Sequence, residues 1–157
     1  MNNFDEQNSN FYDLEYFISM EYRYLSGAHK NKIKVILGLL GDVKDKRILD
    51  VGCGGGTFAR ELSQKGASVT GVDYSAYAVE FARSRYPNIT FSQISGYDLS
   101  SFGNDTFDIV TLIDVIEHMS DQDKAIQEIK RVLKPGGIIL VNTDVENNIW
   151  SKGFMPR

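Results

Sequence analysis

The fold is decided by residues 47–57, which read Arg47-Ile48-Leu49-Asp50-Val51-Gly52-Cys53-Gly54-Gly55-Gly56-Thr57. Ile48 to Val51 form a short apolar run that is typical of a buried parallel strand. The glycines that follow have no Cβ, so the backbone can turn sharply there and come close to a ligand. Thr57 then opens an apolar-periodic stretch that predicts a helix ended by Gly66. A strand, a glycine turn and a helix in this order open a nucleotide-binding βαβ unit.

A second predicted strand with an acid at its tip follows this unit. Residues 67–73 alternate apolar and small side chains and end in Asp73, whose carboxylate can accept hydrogen bonds from both hydroxyls of a ribose. Dinucleotide-binding folds place such an acid about 20 residues beyond the glycines. Their glycine spacing is different, however, because Thr57 stands where Gly-x-Gly-x-x-Gly requires its third glycine. The pattern here is an acid, Asp50, followed by Gly-x-Gly-x-Gly.

This pattern resembles the first motif of the class I S-adenosylmethionine (SAM)-dependent methyltransferases, and the resemblance spans about residues 45–145. Further matching stretches follow in the family's order: Val69 to Asp73, Phe107 to Val110, Asp114 to His118, Leu133 to Gly137 and Ile138 to Asn142. The resemblance implies a Rossmann-like, doubly wound α/β fold with a mainly parallel sheet, and SAM as cofactor. The cofactor-binding positions that it implies are Asp50, Gly52, Cys53, Gly54, Asp73, Tyr74, Ser95, Gly96 and Ile113.

Length and composition fit one globular domain of 157 residues, with 42% hydrophobic and 24% charged residues. The net charge of −4 argues against a general nucleic-acid binder, which usually carries a basic patch. No apolar run approaches the roughly 20 residues of a membrane-spanning helix, and no signal peptide is visible. Because the single cysteine, Cys53, cannot form an internal disulfide, a cytoplasmic location is expected.

The N-terminal part of the chain is rich in aromatic residues. Residues 1–10 are polar and are predicted to be disordered. Residues 11–25 form a helix-like stretch, broken by Gly27, that carries Phe11, Tyr12, Tyr16, Phe17, Tyr22 and Tyr24. This stretch either packs on the domain or acts as a lid that excludes water, and the two interpretations are compatible. The predicted division is an aromatic segment, 1–28, and a SAM-binding domain, 29–157.

Residues 29–40 predict an amphipathic helix. Its apolar positions recur at helical spacing: Ile33, Ile36, Leu37 and Leu40. Lys30, Lys32 and Lys34 are predicted to face solvent. Lys32, or alternatively Arg23, can instead reach the carboxylate of the methionine moiety of SAM.

The next unit is expected to border the adenine. Ser75 is predicted to cap a helix from Ala76 to about Arg85, and residues 89–94 to form the third strand. In the family, an Asp just after this strand commonly accepts a hydrogen bond from the adenine amino group. The matching position here is Ser95, whose hydroxyl makes a weaker bond because it has no charge. Asp98 is interpreted as a surface or turn residue.

The fourth predicted strand, Phe107 to Ile113, ends where SAM is expected to present its methyl group. The resemblance implies that the backbone carbonyl of Ile113 contacts the amino group of SAM. His118 is placed to act as the catalytic general base for a hydroxyl acceptor. The alternative is that Glu117 and His118 only hold the loop by hydrogen bonds.

The C-terminal part of the chain is short for this family. Ser120 is predicted to cap a helix that stops before Pro135, and strand 138–142 follows. Class I methyltransferases continue with a helix and an antiparallel hairpin, for which little chain remains. We therefore expect a truncated chain without its C-terminal strands. The edge of the fifth strand is then predicted to be unpaired, which allows dimerisation through that edge.

For the acceptor, the nearest resemblance is to the O-methyltransferases of ubiquinone biosynthesis. It rests on residues 50–56, 66–73, 117–118 and 133–137. Some of these enzymes bind Mg²⁺ through an acidic residue and a Glu-His pair, and the matching residues here are Asp114, Glu117 and His118. The imidazole makes this an imperfect magnesium site.

Three functions stay open at this point. The favoured one is methylation of a small-molecule acceptor, with O-methylation preferred. A catalytically silent SAM-binding or protein-interaction module is the alternative from another class. A nicotinamide-dependent oxidoreductase is disfavoured by Thr57 and by the turn at 134–137. In the favoured interpretation, Asp50 steadies the glycine turn and the amino end of SAM, and Cys53 is a small neutral filler.

Overall fold

The computed structural model describes Ser19 and residues 27–143, together with the backbone of residues 151–154. The predictions for residues 1–10, for the aromatic residues of 11–25 and for Arg23 lie outside the described residues.

The helices and strands alternate along the described chain. In order they are α1 (Gly27–Leu40), β1 (Arg47–Val51), α2 (Thr57–Gln64), β2 (Ser68–Asp73), α3 (Ala76–Arg85), β3 (Thr90–Gln93), β4 (Phe107–Ile113), a 3₁₀ turn (Ile116–His118), α4 (Gln122–Val132), β5 (Leu133–Asn142) and β6 (Ser151–Phe154). The strand order is β3-β2-β1-β4-β5-β6. Neighbouring strands are parallel from β3 to β5, and β6 is antiparallel to β5. The predicted α/β fold is confirmed.

Two apolar layers cover the sheet. Helices α1, α2 and α3 pack on one face, where the core includes Ile36, Leu62 and Val79. Helix α4 packs on the other face through Ile129 and Val132. Strands β1 and β4 have apolar residues in both layers, as expected of central parallel strands.

The strand order places a crevice between β1 and β4. The chain runs outward from β1 through β2 to β3, then returns to the other side of β1 as β4. Ligands of open parallel sheets bind outside the carboxyl ends of the strands at such a switch point. The glycine turn after β1 and the segment after β4 therefore meet at the same place.

Of the two predicted helix caps, one is confirmed and the other is wrong. The Ser75 cap is confirmed, since its hydroxyl accepts the N–H of Ala78 at 3.2 Å. The Ser120 cap is wrong: Asp121 caps α4, and its carboxylate accepts the N–H of Lys124 at 3.0 Å. The N–H of Ser120 instead donates to the Tyr97 hydroxyl at 2.7 Å, which holds Ser120 outside the helix.

The C-terminal edge of the parallel sheet also differs from expectation. Strand β5 begins at Leu133 rather than at Ile138, and its register with β4 shifts between Phe107 and Ile109. Strand β6 pairs with β5 from Ile138 to Val141, so the edge of β5 that was predicted to be unpaired is paired within the chain. The dimerisation prediction loses the free edge on which it rested. Within the described residues, no helix has the length and apolar character needed to cross a membrane.

Candidate functional site

The glycine turn after β1 requires glycine for two physical reasons. Gly52, Gly54 and Gly56 have φ of 70°, 51° and 79°, a region that side chains disfavour. A Cβ on Gly52 would also overlap the side chain of Val115, which follows β4. The N–H of Gly52 donates to the Val72 carbonyl at 2.8 Å, so the turn is fixed to β2.

Asp73, at the tip of β2, ties the turn to the next helix. One carboxylate oxygen accepts the N–H of Gly54 and the other that of Ser75, each at 2.9 Å. Burial raises the pKa of Asp73, and these backbone bonds oppose the rise. Because each carboxylate oxygen has further lone pairs, the predicted ribose contact is compatible with both bonds.

Asp50 is a buried carboxylate inside β1. It is 2% exposed and lies opposite Gly71 of β2 and Thr111 of β4 in the sheet register. The Thr111 hydroxyl donates to its Oδ1 at 2.7 Å. Burial raises the pKa of Asp50 to about 7; the Thr111 bond lowers it, and the charge of Asp73 raises it further. A cation bound at the strand tips would favour the ionised form.

Cys53 lies within the turn but points into the core under α1 to α3. The residue is 8% exposed, and burial raises the pKa of its thiol. A buried neutral thiol is a poor nucleophile. The geometry agrees with the predicted role of a small filler.

The loop after β3 holds the predicted adenine positions. Ser95 is half-buried, and its hydroxyl accepts the N–H of Tyr97 at 3.3 Å. A Cβ on Gly96 would lie 2.6 Å from the Met119 methyl, so the loop packs closely against the segment after β4. Tyr74, beyond β2, is 38% exposed. Asp98 is exposed and accepts the N–H of Ser100, as a turn residue does.

The segment after β4 is held by a contact that the sequence pattern did not predict. Lys32 lies with its Nζ 2.8 and 2.6 Å from the two carboxylate oxygens of Asp114. Asp114 follows Ile113, has φ of 55°, and donates its N–H to the Asn142 carbonyl. The prediction that Lys32 faces solvent is wrong, because its side chain is only 16% exposed. The sequence feature that could have indicated this burial is the neighbouring Ile33, which is buried, because a lysine stem can lie along apolar surface.

The predicted catalytic residue lies beyond this ion pair. His118 and Glu117 are exposed on the 3₁₀ turn, and the N–H of His118 donates to the Val115 carbonyl at 3.0 Å. The magnesium set is not assembled. Over the described residues, no three His, Cys, Asp or Glu side chains are arranged to hold a metal ion, and Asp114 is engaged by Lys32.

Two buried polar atoms lie at the end of β5, near the same strand ends. Asn142, the last residue of β5, pairs with Ile113 in the sheet and is 3% exposed. Among the described residues, neither its side-chain oxygen nor the hydroxyl of the following Thr143 has a hydrogen-bond partner. Such orphan atoms are uncommon in folded proteins, and sequence reasoning did not single out Asn142.

A groove of about 1040 Å³ is lined by residues of the helices rather than by residues of the strand ends. Its described lining residues come from α1, α2 and the end of α3: Lys30, Ile33, Lys34, Leu37, Thr57, Arg60, Glu61, Lys65, Arg85 and Tyr86, with Gly38 and Gly41. None of the strand-tip residues is among them. We place the candidate site instead at the crevice between β1 and β4, because the strand order reverses there and the glycine turn and Asp73 lie at its edge.

Comparisons with known proteins show which proteins this chain is similar to. A family model described as "Methyltransferase domain" matches residues 49–141. Ubiquinone biosynthesis O-methyltransferase from Alkalilimnicola ehrlichii is 33% identical over 78% of the chain and 51% of its own length. The enzyme of the same name from Paracidovorax citrulli is 32% identical over 97% of the chain and 63% of its own length. The chain therefore spans between about half and two thirds of the length of these relatives.

A solved methyltransferase structure is similar to this chain in its fold. Phosphoethanolamine N-methyltransferase 2 from Haemonchus contortus, in complex with S-adenosyl-L-methionine, superposes with a TM-score of 0.79 at 28% identity. The match covers 91% of this chain and 36% of that one. The structural likeness thus extends over almost all of the chain, whereas the acceptor named for this neighbour differs from that of the sequence relatives.

Proposed function

Because this chain belongs to the class I SAM-dependent methyltransferase family, we propose that the protein transfers the methyl group of SAM to a hydroxyl oxygen of a small-molecule acceptor. The observation that carries the choice of oxygen is the similarity to the two ubiquinone biosynthesis O-methyltransferases. The proposal concerns the whole protein, its acceptor and its activity.

The strand tips suit a cationic cofactor. Asp50 and Asp73 are buried carboxylates, and a bound sulfonium or ammonium group would offset the cost of ionising them. Helix α2 begins at Thr57, and its N-cap residue, Gly56, has no side chain to cap it, so the helix N-terminus can attract the cofactor carboxylate. We assign Asp50 and the glycine turn to the methionine end of SAM, Asp73 to the ribose, and Tyr74, Ser95 and Gly96 to the adenine side.

When bound, SAM supplies a methyl group on a positively charged sulfonium, and the sulfur keeps the bonding electron pair as the methyl passes to the acceptor oxygen. The protein has to align the acceptor and exclude water, and alignment alone can supply about 7–11 kcal/mol of the barrier. The acceptor hydroxyl also loses its proton. We assign that proton to His118, which lies on the turn that follows β4.

The surroundings of the site complete the proposal. Lys32 fastens the second turn of α1 to Asp114, so the N-terminal half of this helix is held beside the carboxyl end of β4. This supports a lid made by the aromatic segment, residues 1–28, over the SAM-binding domain, residues 29–157. A cytoplasmic location, suggested by the lone Cys53, belongs to the same proposal.

The acceptor class is tested with SAM labelled in its methyl group. The full-length protein is incubated with matched pairs of small aromatics that carry either a hydroxyl or an amino group at the same position, and label transfer is measured. We expect label on the hydroxyl compounds. Label on the amines alone would contradict O-methylation. SAM binding without transfer to any acceptor, including a metabolite extract, would favour the catalytically silent module.

The role of His118 is tested in the same assay with His118→Gln. Loss of a general base should lower kcat about 100-fold or more while SAM affinity stays unchanged. The control is Gln122→Ala, which removes a hydrogen bond of 2.9 Å from the Gln122 amide to the Ile116 carbonyl and so loosens the same turn. If both variants lose rate equally, His118 only holds the loop.

A further inference from the structure

The hydroxyl of Thr111 contacts the Asp50 carboxylate at the centre of the sheet. Thr111 lies opposite Asp50 in the parallel register of β4 and β1, and is 0% exposed. Its Oγ1 is 2.7 Å from Asp50 Oδ1 and 3.5 Å from the Leu49 carbonyl oxygen. Because two backbone strands fix both side chains, this bond has a defined geometry that the sheet maintains.

The position of Thr111 would suit an apolar residue. Ile109 and Ile113, two residues away on either side, point to the same face of the sheet and pack in the core under α1 to α3. Valine has the shape of threonine without its hydroxyl, and a buried hydroxyl is costly unless it has a partner. The partner here is a carboxylate that the cofactor site uses.

We propose that Thr111 is a positioning residue for the cofactor: its hydroxyl holds the Asp50 carboxylate in the orientation that meets the cationic methionine end of SAM. The inference rests on the assignment of Asp50 to the SAM site made above. Thr111 itself acts through Asp50 and needs no contact with SAM.

The hydrogen bond from Thr111 also affects the protonation of Asp50. Among the described residues, the titratable groups facing Asp50 are Asp73, from the tip of β2, and the thiol of Cys53, from the glycine turn. Burial and the negative charge of Asp73 both raise the pKa of Asp50, and the Thr111 hydroxyl opposes them. Without this hydroxyl, a larger share of Asp50 would be protonated near neutral pH and unable to pair with a cation. Thr111 therefore affects both the orientation and the charge of the carboxylate.

The test compares Thr111→Val with Thr111→Ser, which keeps the hydroxyl. Thr106→Val is the matched control, because it removes a hydroxyl that donates to the Gly103 carbonyl at 2.6 Å just before β4, far from the strand tips. The Asp50 carboxyl is titrated by NMR in the protein without SAM, and SAM affinity is measured by calorimetry from pH 6 to 9. We expect Thr111→Val to raise the Asp50 pKa and to weaken SAM binding about tenfold at pH 7, the scale of one charge-assisted hydrogen bond. The loss should shrink at pH 9, and Thr111→Ser should restore affinity to within about twofold.

Other outcomes would contradict either the positioning role of Thr111 or the assignment of Asp50 to the SAM site. If Thr111→Val has the wild-type affinity and pH profile while Asp50→Asn loses SAM binding, Thr111 has no positioning role. If Asp50→Asn also binds SAM normally, the assignment of Asp50 is wrong, and the inference falls with it. Should Thr111→Val not fold, Thr111→Ala, which also removes the hydroxyl, takes its place in the same measurements, and wild-type SAM affinity in that variant would overturn the inference.

Discussion

The two sides of the crevice are built in different ways. At the tips of β1 and β2, buried groups bond mainly to backbone: Asp73 accepts from Gly54 and Ser75, and Gly52 donates to Val72. At the tip of β4, the chain is held by an ion pair between Asp114 and a helix 82 residues earlier, and the next turn is exposed. The first side forms from contacts between consecutive βα units, whereas the second depends on a long-range contact between side chains.

This difference matches the chemistry that each side is proposed to perform. A cofactor that a whole family shares can be held by backbone groups, which do not change with the side-chain sequence. An acceptor that differs among relatives needs surfaces that can vary, and exposed loop positions provide them. The O-methyltransferase names of the sequence relatives and the N-methyltransferase name of the structural neighbour fit that division.

The largest effect should come from Gly52→Ala, which disturbs the backbone-built side. Alanine at φ of 70° costs about 1 kcal/mol, and its Cβ meets the Val115 side chain, which adds about 1–3 kcal/mol of overpacking. We expect a loss of about 2–4 kcal/mol in the free energy of unfolding in urea, and loss of SAM binding. Gly136→Ala is the matched control, since Gly136 has φ of 75° but open space around its Cβ position. Equal losses in the two variants would mean that the turn is not tightly fitted.

Asp50→Asn should separate binding from stability. The folded protein raises the pKa of Asp50 from 3.8 to about 7, so it binds this proton more tightly than the unfolded chain does. Stability is therefore lost as pH rises from about 4 to 7, and the loss is complete above pH 7. Asparagine cannot ionise, so at pH 8 the variant should be more stable by about 2 kcal/mol, or roughly 4–8 °C in Tm, while it binds SAM more weakly.

The control for this prediction has the opposite sign. The Ser100 side chain and backbone N–H lower the pKa of the exposed Asp98, so Asp98→Asn should lose a little stability at pH 8 rather than gain it. Thermal unfolding of both variants at pH 5 and pH 8 makes the comparison. A lower Tm for Asp50→Asn than for wild type at pH 8 would contradict the argument.

What the sequence could predict follows the same division. The glycine turn and Asp73 were predictable because their constraints, positive φ and a carboxylate at a strand end, act between neighbours in the chain. The Ser120 cap was predicted wrongly because the Tyr97 hydroxyl accepts the N–H of Ser120 and holds this residue outside the helix. The Lys32–Asp114 pair was missed because it joins elements that are far apart in the chain. Thr111 was not singled out because a lone β-branched residue in a buried strand looks like ordinary core until its neighbour across the sheet is known.

Asp73→Asn should have an intermediate effect. Asparagine has one acceptor oxygen instead of two, so either Gly54 or Ser75 loses its partner and meets an amide N–H instead. We expect a loss of about 1–2 kcal/mol in unfolding free energy, and SAM affinity about tenfold lower or weaker. Asp98→Asn again serves as control and should leave SAM affinity unchanged. Unaltered SAM binding in Asp73→Asn would remove this residue from the cofactor side.

The smallest effect should come from the ion pair that holds the β4 side. A double-mutant cycle with Lys32→Gln and Asp114→Asn isolates the coupling, and asparagine suits the left-handed conformation at position 114. Lys134 and Asp108 form a comparison pair at a similar distance, 2.7 Å, but with side chains 38% and 25% exposed instead of 16% and 28%. Because water screens the more exposed pair better, we expect a coupling energy of about 1 kcal/mol for Lys32–Asp114 and a few tenths of that for the comparison pair.

If α1 serves the acceptor side, Lys32→Gln should also raise the acceptor KM while SAM affinity stays near that of wild type. Two results would contradict the idea that the two sides of the crevice are held independently. One is a coupling energy for Lys32–Asp114 no larger than that for Lys134–Asp108. The other is that Lys32→Gln weakens SAM binding without raising the acceptor KM.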